Sequence, residues 1–186
     1  MKKVILVLIL TFAMALSASV TQHTIHIQQP KVQSLNHYQI INIDSAIQHG
    51  TPGNPSLPYF GVTLLLPIGE EAQDVTVTRS GKHLLSENFN PYPVQNQYPL
   101  SYEGQIPFTP LSDNIESETV FPAVANDGFS TNFYSGFPLL STAVTPIEFN
   151  PQTGEIFWFD TVAISITSAG TQRAQRAEAL LKTDTS

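Results

Sequence analysis

The stretch Gly50-Thr51-Pro52-Gly53-Asn54-Pro55-Ser56-Leu57-Pro58-Tyr59-Phe60-Gly61-Val62-Thr63-Leu64-Leu65-Leu66-Pro67 decides the fold. Its first nine residues hold three prolines and two glycines. That composition confines the backbone to extended and turn conformations and forbids a helix. The second half is aromatic, β-branched and leucine-rich, and it stops at a proline that cannot donate to a ladder. It reads as a stiff loop delivering a buried central strand.

Working outward, strand signals recur along the chain and helix signals are scarce before the C-terminus. Residues 23–27 alternate as His23, Thr24, Ile25, His26, Ile27, and a second strand is predicted over 38–43. Beyond the central strand, 74–79 places Val75 and Val77 on one face, a turn is expected at Ser80 and Gly81, and another strand over 82–87. This order predicts an antiparallel meander. From 90 to 137, Pro91, Pro93, Pro99, Pro107, Pro110 and Pro122 break up regular structure, while Tyr92, Tyr98, Tyr102, Phe108, Phe121, Phe129, Phe133, Tyr134 and Phe137 supply rings to pin an irregular surface section. Residues 139–149, 155–160 and 161–167 predict a hairpin and a final strand. In that strand Val162, Ile164 and Ile166 face inward at the period of two. The fold class expected is all-β: an antiparallel two-sheet sandwich with an irregular middle and a short helical tail.

At the N-terminus, Lys2 and Lys3 precede an uncharged apolar run over 4–16, which is too short to span a bilayer. Small residues follow, so residues 1–18 read as a secretory signal cut after Ala18, with Ala15 and Ser19 as neighbouring alternatives. Losing two lysines takes the formal net charge from −7 to −9. An acidic mature chain repels nucleic acid and anionic membranes, so neither is expected as a partner. With 41% hydrophobic and 12% charged residues the composition is globular. The chain has no cysteine, which removes the thiol nucleophile, thiolate metal sites and a lipid-modified cysteine. The expected location is secreted, in a periplasm or outside the cell.

Chemistry-bearing motifs are few. His23 and His26 are three apart on a strand and point to opposite faces, so they do not share a metal. His37, His49 and His83 are isolated in sequence and are expected to be structural or solvated. Ser80-Gly81 and Ser135-Gly136 do not sit in a nucleophile elbow. Asp113, Glu116 and Glu118, with Asn126 and Asp127, match no calcium-loop spacing and read as a solvated acidic loop. No catalytic residue, cofactor or metal is assigned. Cations are unevenly placed: between Lys82 and Arg173 there are nine acids and no lysine or arginine. Beyond 170 helix formers dominate without an evident core face. There Arg173, Arg176 and Lys182 form a candidate processing segment, since exposed termini are where proteolysis concentrates.

The run Gly50, Pro52, Pro55, Pro58 feeding a strand that closes on Leu66, Pro67, Ile68, Gly69 resembles the start of the prodomain of gingipain-type secreted cysteine peptidases. Phe149, Asn150, Pro151, Gln152, Thr153, Gly154, Glu155 and the strand over 161–167 resemble its last hairpin, and residues 91–102 lie between. The resemblance implies a jelly-roll-like sandwich over 19–169, a processing linker or helical tail over 170–186, and a role as chaperone and latency inhibitor of a cognate cysteine peptidase, in cis or in trans. It also implies that catalysis belongs to a separate domain. In the Arg- and Lys-cutting members of that family a basic residue on a prodomain loop fills the specificity pocket. This chain has no such residue in its middle section. The loop over 101–119 is then expected to present apolar or acidic residues, with Asp113 and Asn114 as candidates. Ending at Ser186, the sequence fits a truncated precursor or a free-standing inhibitor. The alternative is a free-standing secreted module that binds glycan or protein. Exposed Tyr92, Tyr98 and Tyr102 would favour that module; buried rings with an exposed, cleavable tail would favour the prodomain.

Overall fold

A computed structural model describes residues 18–183. The signal run over 1–17 lies outside the described residues, as does the side chain of Lys182. The strands are β1 (Ser19–His26), β2 (Lys31–Leu35), β3 (Tyr38–Asn42), β4 (Ile47–His49), β5 (Leu57–Leu65), β6 (Glu70–Ser86), β7 (Asn126–Tyr134), β8 (Phe137–Val144), β9 (Ile147–Asn150) and β10 (Glu155–Gly170). Two helices complete the chain, α1 (Asp113–Glu116) and α2 (Gln172–Thr183).

All pairings between these strands are antiparallel. One sheet runs β1-β10-β6 with β9 also on β10, a second runs β4-β5-β8-β7, and β2 and β3 form a separate ribbon. The two larger sheets face each other. Val62, Leu66, Leu140 and Val144 from the β5–β8 side meet Val75, Val162, Ile164 and Ile166 from β6 and β10 in one core. Each such side chain contributes roughly 1.5–3 kcal/mol on full burial. A second core gathers Ile41, Leu57, Tyr59, Phe89, Ile147, Phe149 and Ile156 under the irregular section.

The expected all-β class and the inward set Val162, Ile164, Ile166 are observed, but the meander is not. β5 and β6 follow one another in sequence yet belong to different sheets. The turn expected at Ser80 and Gly81 is also absent, because β6 continues through it for 17 residues. Gly81 takes φ 67°, and a Cβ there would sit 2.1 Å from Asp160 Oδ1. A glycine bends the strand where its long partner β10 still offers pairing on both sides. Residues 155–160 and 161–167 likewise merge into β10. β7 is a nine-residue strand, with one register shift between Asn126 and Phe129, inside the section expected to be irregular, and it is joined to β8 by the Ser135-Gly136 turn. The last hairpin is built as expected: Asn150 Oδ1 accepts from the Gln152 and Thr153 amides at 3.0 and 3.3 Å, and Gly154 closes the turn at φ 72°.

Charge is accommodated across the β6 and β9 strands of one sheet. Arg79 donates from Nη1 to the Ile147 carbonyl at 2.7 Å and from Nη2 to Glu148 at 3.2 Å, while Lys82 donates to the other oxygen of the same carboxylate at 2.5 Å. Burial pulls the Arg79 guanidinium below its ordinary value and Glu148 opposes that shift.

Candidate functional site

The irregular section between β6 and β7 is tied to the sandwich by its backbone. The Ser56 amide donates to Tyr92 O, Val94 donates to Asn54 O, Gly53 donates to Val94 O, and Ser112 donates to Gly53 O. The Gly/Pro-rich run that precedes β5 is therefore the mount for this section, which is why its extended backbone matters. Prolines without N–H groups suit a segment whose remaining amides are satisfied one by one.

Within this section one loop is cinched at its neck. Gln95 Nε2 donates to the Thr109 carbonyl at 3.0 Å, Gln95 Oε1 accepts from the Thr109 amide at 2.9 Å, and Asn96 Nδ2 donates to Thr109 Oγ1 at 2.9 Å. A loop with joined ends and its own packing is an Ω-loop, a form that often carries function. Beyond the neck every residue from 99 to 108 is exposed. Tyr98 and Tyr102 pair at 4.8 Å inside the loop, and Phe108 stacks on Tyr38 at 5.6 Å, anchoring one limb. Among its exposed side chains, Leu100 is fully exposed and Ile106 is 62% exposed, with Glu103 as the sole charge between them.

The rings set as a discriminator divide. Tyr92 is half-buried, edge-on to Tyr38 and Phe108; Tyr98 is half-buried; Tyr102 is exposed. Asp113 and Asn114 fall in the four-residue α1, whose Ile115 is the buried anchor. Asp127 does not join Asp113, Glu116 and Glu118, because His49 Nε2 holds it at 2.5 Å. Among the described residues no three His, Asp or Glu side chains gather as metal ligands.

Two histidine–aspartate pairs come together that sequence spacing does not reveal. His49 and Asp127 flank a cleft also lined by Thr51, Asn54 and Tyr59. Burial, then the Asp127 carboxylate, pushes the Tyr59 hydroxyl up to about 12. His83 pairs with Asp160 at 3.2 Å and stacks on Trp158 at 4.7 Å. The Asp160 carboxyl lies below its ordinary value, held there first by the Thr161 hydroxyl and next by His83. Ser80 lies within β6 and Ser135 in the β7–β8 turn, and among the described residues neither serine is hydrogen-bonded to His49 or His83, whose bonds go to Asp127 and Asp160.

The C-terminal segment is the expected short helix, but the expected lack of a core face is not observed. It is a helix with a docked face, since Ala174 and Ala177 are buried. Arg173 forms an ion pair with Glu71 at 2.8 Å and lies over the Phe133 ring at 5.0 Å. Arg176 is exposed, as is Ala18 at the other end.

The chain matches no protein-family model and no curated protein. Among solved structures it is similar to a chain in the complex of Porphyromonas gingivalis RgpB pro- and mature domains, with TM-score 0.65 and 13% identity over 82% of this chain and 81% of that one. It is also similar to a chain in the structure describing zymogenic latency of gingipain K from Porphyromonas gingivalis, with TM-score 0.59 and 13% identity over 86% of this chain and 96% of that one. The β-sandwich of this chain is thus a fold found in both of these structures.

Proposed function

We propose that this domain is the propeptide of a secreted gingipain-like cysteine peptidase, a non-catalytic chaperone and latency inhibitor of its cognate enzyme. The observation that carries the reading is the cinched, exposed loop over 96–108, set on a fold shared with gingipain zymogen structures. A loop fixed at its neck loses little freedom on entering a cleft, which favours binding. It offers Leu100 and Ile106 and no lysine or arginine, so the cognate specificity pocket is apolar or is covered without being filled.

The test is titration of the secreted chain into the catalytic domain encoded with it, or into a panel of secreted caspase-like cysteine peptidases. Inhibition that disappears when the loop is cut supports latency. Neither complex nor inhibition with any of them defeats it. Exposed Tyr102, paired with Tyr98, favours a second reading, a secreted module that binds glycan or protein; glycan-array binding with no peptidase complex would select it.

A further inference from the structure

Helix α2 is fastened at its start by one carboxylate. Glu71 on β6 accepts from the Thr171 hydroxyl through Oε2 and from Arg173 Nη1 through Oε1, the latter at 2.8 Å. Thr171 in turn caps the helix, its Oγ1 accepting from the Ala174 amide at 3.1 Å. A negative carboxylate at this end also suits the helix dipole.

Further along, the helix sits on the β7–β8 turn. A Cβ on Gly136 would lie 2.6 Å from Leu181 Cγ and 2.8 Å from the Ala177 carbonyl, and Gly136 has φ 86°. The turn therefore admits the helix because it lacks a side chain there. Ala174, Ala177 and Leu181, at spacings of three and four, form the seated stripe. Arg173 lies over Phe133 of β7, so it touches both sheets' strands at once. Arg176 lies on the exposed side of the same helix.

We propose that α2 is a latch that withholds a proteolytic modification site, the bond after Arg176, and that Arg173 is its fastener and not its cleavage point. A protease needs the backbone extended through its cleft, so a docked helix is cut at a rate set by the population of its undocked, unwound form. Anything that loosens the Glu71–Arg173 end raises that population. The inference goes beyond latency and does not require that the domain inhibit any peptidase.

Limited digestion of the secreted chain with trypsin, with fragments mapped by mass spectrometry, tests it. The variant Arg173→Gln separates the two roles of this arginine. If Arg173 is the fastener, its loss accelerates cleavage after Arg176 by roughly fivefold, the effect of removing an exposed ion pair and its ring contact. Ala174→Gln, on the docked face of the helix, should accelerate the same cut by about tenfold or more by overfilling a buried position. A first cut after Arg173 in the unaltered chain, or equal rates after Arg176 in all three proteins, overturns the proposal.

Discussion

Arg79 on β6 and Glu148 on β9 meet at 3.2 Å within one sheet, with side chains 13% and 16% exposed. The same guanidinium caps the Ile147 carbonyl and lies 4.8 Å from the Phe159 ring, so it links β6, β9 and β10. Arg79→Met should cost about 2 kcal/mol, because Glu148 loses its better-buried partner while keeping Lys82. Arg79→Lys should fall between, having charge without the fork. Urea denaturation of the three proteins measures this, with the slope unchanged.

Tyr59 should ionise late. Its value of about 12 in the fold stands above the ordinary 10.0. A raised value means that its contribution to stability is complete below pH 10.0 and is lost as pH climbs from there through about 12. Phenolate absorbance during alkaline titration should show a late step that Tyr59→Phe removes and Asp127→Asn moves to lower pH.

Asp160 works in the opposite direction. Its folded value is depressed, by the Thr161 hydroxyl first and His83 second. Its contribution is therefore present above the unfolded value and lost as pH falls through the folded one. Carboxyl NMR titration should place its midpoint below 3.8, and Thr161→Val and His83→Gln should each return it toward that figure.

The exposed loop should affect binding and not folding. Leu100→Glu combined with Ile106→Glu should change stability by no more than about 0.5 kcal/mol, as surface substitutions do. It should also weaken inhibition of a cognate peptidase by roughly tenfold or more, the effect expected of losing apolar anchors in a cleft. Gln95→Ala, which opens the neck, should weaken inhibition less while raising hydrogen exchange across 96–108.

Much of the sandwich was legible because its signals are local. The alternation of Val162, Ile164 and Ile166 marks the buried face of β10 whatever it pairs with, and the Asn150 to Gly154 turn carries its own hydrogen bonds. β7 could have been found from the alternation of Phe129, Thr131 and Phe133 ahead of Ser135-Gly136. Pro122 and Pro138 on either side of it read as breakers of regular structure. The docked face of α2 was harder to see. Two alanines and a leucine make a thin apolar stripe, and it suffices because Gly136 lets the backbones approach.

The sequence by itself determined the β class, the central strand after the Gly/Pro run, the final hairpin and the absence of a basic residue from the middle section. These depend on φ restriction, side-chain period and composition, which neighbouring residues set among themselves. Tertiary structure alone decided that β5 and β6 join different sheets and that Gln95 closes on Thr109. It also set His49 against Asp127 and clamped Arg173 with Glu71, a residue 102 positions away. No local preference specifies such partners. They are chosen when the two sheets bury their shared face, and each polar side chain near the rim takes the group that packing has placed within reach.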